Sequence, residues 1–590
     1  MNELELLRQG GVVGGGGAGF PLWKKLASPA ETLLINGAEC EPVLQSDQYL
    51  MLKYPDLLVR AAGRLARIVG AREAVICLKD HYVPQIRALQ DALCAARGAR
   101  SAGELGEDAP IKGAPNEGAR IDRAPIKGNL NEDAQIKGAL NVGAPINGAP
   151  NKGVLNDRAP IKGNLNEDAS IRCALNVGAP INGAPIKVVL TKDALNVGAP
   201  IEGILTEDAP IKGFLNKGAP INGAPVQDAP AEDAPINGYA QGDAESGGIC
   251  PPVRLHLLPT VYPIGDEQAL VHSATGKTVP PGALPGSVGC CVVSVSTALN
   301  GLRALQGKPV LSRFVTIAGE VKHPGVYCAP IGTPVSLLLQ AAGGVKISEY
   351  RLQLGGPMMG RIAGENEEIV LTKTMGGVLV LPKEHRLVKH ADLPLDQVRN
   401  RAKSVCIQCR TCTDLCPRHL LGHPIYPHLT MRAFALGNRL EPSAALCMEC
   451  GICELYACPM GLNPRRVQQL HKSMLREQGQ KSTFALKDAP ALAEHRAVPS
   501  GRVAARAGVS GYLFDTPHQA IQVQTPLVCI PLKQHIGAPS QATVAVGDWV
   551  QRGDTIGRMA EGALGCDVHA SICGRVERVE QGMVVIRAGE

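Results

Sequence analysis

Eight cysteines between residues 406 and 459 carry the clearest chemistry in the chain. They form two runs, Cys406-x2-Cys409-x2-Cys412-x3-Cys416-Pro417 and Cys447-x2-Cys450-x2-Cys453-x4-Cys458-Pro459. Three thiolates at this spacing can wrap one 4Fe-4S cluster, while a fourth, carried onward by the following proline, can reach its neighbour. Two 4Fe-4S clusters are therefore expected. Cys406, Cys409 and Cys412 would share one with Cys458, and Cys447, Cys450 and Cys453 the other with Cys416. The extra residue before Cys458 departs from the x3 spacing and leaves the crossed assignment open at that end. C-x2-C pairs also suit structural zinc, but zinc has no use for a third cysteine at the same spacing or for the Cys-Pro endings. Between the runs, Leu429, Met431, Phe434 and Leu436 recur at roughly helical spacing. Residues 428–440 thus read as a short helix inside a helical, two-cluster electron carrier.

A second candidate site lies near the N-terminus, in Gly14-Gly15-Gly16-Gly17-Ala18-Gly19-Phe20-Pro21 followed by Lys24 and Lys25. Glycines without Cβ let backbone N–H groups approach a phosphate, and a following helix N-terminus and lysine add favourable charge. Residues 32–35 form a strand candidate leading to Asn36-Gly37-Ala38-Glu39-Cys40-Glu41-Pro42, and residues 253–258 another, followed by Tyr262-Pro263-Ile264-Gly265-Asp266-Glu267-Gln268. Carboxylates at a strand end sit where α/β folds bind ligands. Cys40 has no recognisable base beside it and reads as a small packed hydrophobe. These three stretches resemble the flavin- and NADH-binding fold shared by the NADH-oxidising subunit of respiratory complex I and by RnfC. The resemblance implies FMN and NADH as cofactors, with Gly14, Gly16, Gly17, Gly19 and Lys25 as the phosphate cradle. It also implies Asn36, Glu41, Gly265 and Asp266 beside the flavin or nicotinamide, and Glu39 and Glu267 as catalytic residues where hydride enters. Gly15 stands where the complex I pattern has arginine.

The elements that position these sites are those of a multidomain α/β and α+β chain. A length of 590 residues accommodates three or four domains. The net charge of +6 is modest and its lysines and arginines are scattered, so no nucleic-acid surface is indicated. The absence of a secretory signal pattern and the cluster reading of the cysteines favour a reducing cytoplasm. No apolar run is long enough for a membrane span. Helical periodicity over residues 57–69 and 83–96, with a buried strand at 74–78, gives βαβ alternation. From Ala109 to Gly238 the sequence then advances in 26 units of five, mostly A-[PL]-[IN]-x-[GD]. A pentapeptide β-helix could produce such a period. Proline in about half of the units removes ladder donors, however, and the polar composition favours a disordered insertion.

The expected organisation is an FMN/NADH-binding domain over residues 1–100 and 248–307, split by the repeat at 101–247. A β-grasp domain of the soluble-ligand-binding (SLBB) kind follows at 308–390, resembling the domain that follows the flavin domain in the complex I and RnfC families. The two-cluster ferredoxin-like domain occupies 395–480, a linker 481–515, and a C-terminal β module 516–590. That module resembles the barrel-sandwich hybrid of lipoyl and biotinyl carriers. It has no lysine between Asp554 and Gly574, so it reads as an unmodified structural or docking module. RnfC carries the corresponding piece ahead of its flavin loop. The domain order here, with CRTCTDLCPRHLLGHPIYPHL and CELYACPMGLNP, resembles the cobalamin reductase family of propanediol utilisation. That resemblance implies NADH-dependent reduction of corrin cobalt, with cobalamin, its adenosyltransferase and a microcompartment shell protein as partners, in the cytoplasm inside or beside a bacterial microcompartment. An RnfC-like component of a membrane-associated NADH:ferredoxin oxidoreductase and a non-enzymatic docking scaffold are the rival readings.

Overall fold

A computed structural model describes residues 2–98, 251–437, 439–480 and 482–589, together with the backbone of three short strands between 99 and 250. Helices α1 (Glu3–Gln9) and α2 (Leu22–Leu26) lead to strand β1 (Thr32–Asn36). Helices α3 (Ser46–Lys53) and α4 (Pro55–Val69) carry the chain to β2 (Glu73–Lys79), and α5 (Val83–Gly98) follows. Helix α4 forms because proline occupies its first turn, where no N–H is needed, and Gly70 closes it in the left-handed conformation, φ 74°. Between these ends, Leu58, Ala61, Ala62, Leu65, Ala66 and Val69 make one buried stripe. In the repeat, β3 (Gln135–Lys137), β4 (Ser170–Arg172) and β5 (Lys187–Val188) pair in parallel. The expected disordered insertion otherwise lies outside the described residues.

The flavin-motif part resumes at β6 (Val253–Leu258), which lies parallel to β2 with Ala74 opposite Val253 and Lys79 opposite Leu258. Then come β7 (Val261–Tyr262), α6 (Glu267–Thr275), β8 (Cys290–Ser294) and α7 (Val295–Ala304). The resulting parallel sheet has the order β6-β2-β1-β8. Its inner strands are continuous apolar runs, Leu33 to Ile35 and Ala74 to Leu78, because helices cover both faces. Leaving β1 the chain moves to β2 and β6, then crosses back to β8 on the other side. The switch point between β1 and β8 is where such sheets bind ligands.

A mixed six-stranded sheet follows, built from the antiparallel pair β9 (Ser312–Gly319) and β10 (Gly325–Pro330), with α8 (Val335–Ala341), β11 (Tyr350–Leu354), β12 (Arg361–Ile362) and β13 (Gly377–Pro382). Parallel pairing of β13 with β9 and the packing of Leu338 against Val315, Ile317 and Val380 give the β-grasp arrangement. The cysteine runs lie among α9 (Arg386–Asp392), α10 (Leu395–Val405), α11 (Thr411–Asp414), α12 (Pro417–Leu420), α13 (Pro427–Leu436) and α14 (Pro464–Glu477). The helix read at 428–440 stops earlier than expected, because Gly437 takes φ 74° and caps it.

Residues 481–515, expected as a linker, end in packed structure. Strand β14 (Val498–Pro499) pairs with β7, and α15 (Ser500–Ala507) buries Val503, Ala504 and Ala507 against Ile452 and Leu455. Three apolar residues at helical spacing form this contact, which the surrounding charges conceal in sequence. Strand β15 (Ile521–Gln522) then adds to β10. The C-terminal module has two antiparallel sheets formed by β16 (Leu527–Pro531), β17 (Gln541–Ala542), β18 (Trp549–Val550), β19 (Thr555–Arg558), β20 (Val568–His569), β21 (Gly574–Glu580) and β22 (Met583–Arg587), ordered β16-β22-β21-β18 and β17-β19-β20. Among the described residues no helix is long and apolar enough to cross a membrane.

Candidate redox site

The glycine loop stands over the β1/β8 switch point. Gly14 N–H donates to Phe20 O at 3.0 Å and closes the loop. Gly15 N–H donates to Thr297 Oγ1 at 2.9 Å, which ties the loop to the first turn of α7. Arg313, buried on β9, donates to Gly15 O from below and to Met375 O at 3.1 Å. The exposed tip is Gly16, Gly17 and Ala18, and a Cβ added at Gly16 or Gly17 would meet nothing within 4 Å. This open backbone beside a helix N-terminus fits a phosphate-bearing cofactor such as FMN. Gly19 sits differently. At φ +73° its Cβ position lies 2.9 Å from both Gln534 O and Thr374 Cγ2, so it anchors the loop against the C-terminal module. Trp23 Nε1 donates to Gly565 O at 2.8 Å on the same contact. Lys25 Nζ donates to Glu267 Oε1 at 2.6 Å and to Val292 O at 2.7 Å, bringing together two residues that the sequence placed in separate motifs.

The other two motif loops interlock. Asn36 Nδ2 donates to Gly265 O at 2.8 Å, and Gly265 N–H donates to Cys40 Sγ at 2.8 Å. A Cβ on Gly265 would fall 2.3 Å from Ala38 O, so glycine is required by close approach. Cys40 is packed here as a neutral thiol, pushed up to about 12 by burial. Glu41 Oε2 accepts from Met358 N–H at 2.8 Å, and burial raises its carboxyl to about 7. Asp266 caps α6, accepting from Gln268 and Ala269 N–H at 3.1 and 3.2 Å, and pairs with Arg418 at 2.9 Å. Its carboxylate is thus committed to a helix cap and to the cysteine-bearing part, not to the open cleft.

Glu39 Oε1 accepts from Glu41 N–H at 3.1 Å. Burial first, and then the Asp47 charge, raises its carboxyl from about 4.5 to about 8. The folded chain therefore holds this proton more tightly than the unfolded chain, and the stability it contributes is complete below about 4.5 and lost as pH rises towards about 8. Glu39→Gln is expected to flatten that part of the curve of unfolding midpoint against pH, measured by calorimetry between those limits. An unchanged slope would place the proton elsewhere.

The eight cysteines surround two cavities. Cys416, Cys447, Cys450 and Cys453 line one, together with Arg418, Glu449 and Arg465. Cys406, Cys409, Cys412 and Cys458 line the other, with Arg410, His428 and Arg432. The fourth thiol of each set comes from the opposite run, at both ends. The two loops share one backbone conformation. Residues before and after the second cysteine take left-handed φ in each, Gln408 at 54° and Arg410 at 64°, then Glu449 at 64° and Gly451 at 80°. Such turns wrap the backbone around a central body. The thiols ring cavities, as a cluster of several irons requires.

The cavities differ in depth. In the inner set Cys416, Cys450 and Cys453 are buried and Cys447 partly so, whereas in the outer set Cys458 is buried, Cys406 and Cys412 are partly so and Cys409 is exposed. Burial raises Cys412 and Cys447 to about 12, so each thiolate set needs a compensating cation. The inner cavity also abuts the flavin motifs. Tyr262 Oη donates to Cys450 O at 2.7 Å, Arg465 Nη1 donates to Met358 O at 2.7 Å, and Met358 N–H in turn holds Glu41. Neither Thr297, Arg313, Arg418 nor Arg465 was legible as a site residue, since each reaches its partner from another part of the chain.

Four family models match. They are the Nuo51 FMN-binding domain at residues 7–127 and 225–301, the SLBB domain at 314–362, a 4Fe-4S dicluster domain at 405–463 and the RnfC barrel sandwich hybrid domain at 515–589. The chain is a multidomain oxidoreductase with an FMN-binding domain and a 4Fe-4S dicluster domain. It is 32% identical over 589 residues to the cobalamin reductase PduS of Salmonella typhimurium, covering 99% of this chain and 96% of that one. The cobalamin reductase PduS of Citrobacter freundii is 31% identical with the same coverage. A component of the ion-translocating oxidoreductase complex of Erwinia tasmaniensis matches over 181 residues at 33%, 30% of this chain and 21% of that one. The chain belongs to the PduS cobalamin reductase family.

Proposed function

We propose that this chain is an NADH-dependent cobalamin reductase that supplies reduced cobalt for adenosylcobalamin regeneration. A bound flavin takes electrons in pairs and releases them singly, and iron-sulfur clusters carry them one at a time. The protein's part is placement. Gly16, Gly17 and Ala18 would offer backbone N–H groups to the FMN phosphate, beside the α7 N-terminus to which Gly15 is tied. Lys25 neutralises Glu267, and Glu39, protonated near neutral pH, can face reduced flavin or nicotinamide without repelling it. Cys416, Cys447, Cys450 and Cys453 would hold one 4Fe-4S cluster, and Cys406, Cys409, Cys412 and Cys458 a second.

The observation that carries this reading is the direct bonding of the flavin motifs to the inner thiol set, through Tyr262 to Cys450 and Asp266 to Arg418. Similarity to the ion-translocating complexes covers a smaller share of the chain, so the cobalamin reading is favoured. On this reading the adenosyltransferase receives the reduced corrin and a shell protein retains the chain in a bacterial microcompartment. The test is anaerobic mixing of NADH, FMN-loaded protein and hydroxocobalamin, followed by absorbance. The reading predicts flavin bleaching and conversion of the cobalamin spectrum to that of the reduced cobalt form. Bleaching with unchanged cobalamin would refute the acceptor, and no bleaching would refute NADH as donor.

A further inference from the structure

Two guanidinium groups in the wall of the inner thiol cavity each keep one buried nitrogen without a protein acceptor. Arg418, 8% exposed, donates Nη2 to Asp266, but its buried Nη1 has no acceptor. Arg465 donates Nη1 and Nη2 to Met358 O and Met359 O, but its buried Nε has none. Both side chains line the cavity ringed by Cys416, Cys447, Cys450 and Cys453. Leaving a buried charged donor unmatched is costly, so a structure that does so twice around one cavity calls for an occupant that brings hydrogen-bond acceptors, as the sulfurs of a thiolate-bound cluster would.

The outer cavity is built otherwise. Arg410, with its side chain 56% exposed, lies 3.8 Å from Asp414, and Arg432 is exposed. Charge held in water is screened, whereas charge held in the interior is not. A 4Fe-4S cluster bound by four thiolates is anionic and gains one more negative charge on reduction. Nearby fixed positive charge and N–H donors to sulfur therefore favour its reduced state.

We propose that Arg418 and Arg465 are positioning residues that set the reduction potential of the inner cluster, donating to its sulfurs and holding it easier to reduce than its burial alone would allow. The inference rests on the proposed cluster assignment and concerns these two side chains. The outer cluster, walled by screened arginines, is tuned by solvent instead.

The test is a potentiometric titration followed by electron paramagnetic resonance on the full, cluster-loaded chain. Cys409→Ala removes the outer signal and so assigns the two. Arg465→Gln is expected to make the inner midpoint more negative by at least a tenfold change in equilibrium constant, about 59 mV for one electron, and to leave the outer midpoint in place. Arg418→Gln should move the same signal in the same direction. Arg465→Lys, which keeps the charge but not the Nε donor, should recover part of the shift and guards against a loosened Met358 loop as the cause. An inner midpoint unmoved in both Gln variants, or both midpoints moving together, would overturn the proposal. Wild-type protein without two cluster signals would instead overturn the cluster assignment beneath it.

Discussion

Cys450→Ser should leave a protein that still oxidises NADH with a flavin-level acceptor such as ferricyanide but reduces cobalamin at least about 100-fold more slowly. The thiol lies in the buried set that bonds directly to the flavin motifs, through the 2.7 Å contact of Tyr262 Oη with the Cys450 carbonyl. The substitution keeps that carbonyl, so the contact between the parts persists while one of four ligands is lost. Iron content should fall from about eight towards about four per chain, because a serine oxygen is a poorer iron ligand than the thiolate it replaces. Parallel losses of both activities would mean that the flavin site itself had been disturbed. Retained cobalamin reduction with halved iron would remove the inner set from the route altogether.

The second large effect separates two glycines that look alike in sequence. Gly17→Leu places a side chain into open space, so the unfolding free energy should stay within about 0.5 kcal/mol of wild type. The same side chain fills the proposed phosphate cradle. Loss of one or two hydrogen bonds to a charged group, at about 1.5–3 kcal/mol each, corresponds to about a 10- to 10,000-fold weaker FMN affinity. Gly265→Ala should behave in the opposite way. Its Cβ would lie 2.3 Å from Ala38 O and 2.9 Å from Cys40 Sγ, so the two motif loops must part and stability should fall by about 1–3 kcal/mol. Flavin titration and calorimetry on both variants decide the matter. Equal flavin affinity in Gly17→Leu and wild type would move the phosphate away from the loop tip.

Much of the architecture could be read from local pattern. The inner sheet strands are uninterrupted apolar runs, and α4 carries its own start and stop in Pro55 and Gly70. The cysteine spacing indicated which thiols could gather, because ligand geometry is written in short intervals. What spacing could not show was depth. Nothing around Cys450 and Cys409 distinguishes an enclosed set from an exposed one, since that difference comes from Tyr262, Met358 and α15 packing over one side. The role of Asp266 was hidden for the same reason. A carboxylate beside a flavin motif reads as a cofactor contact until Arg418, 152 residues on, is seen to take it. Gly19 likewise reads as part of a phosphate loop, yet its close neighbours are Gln534, His535 and Thr374, contributed by parts that sequence order places far away.

The most direct measurement of the central claim is metal and sulfide analysis of anaerobically purified chain, with spin counting after reduction. Two sets of four thiols holding 4Fe-4S clusters predict about eight iron and about eight sulfide per chain and two distinguishable signals. Zinc in place of iron, or iron near four with a single signal in the unmodified chain, would contradict it.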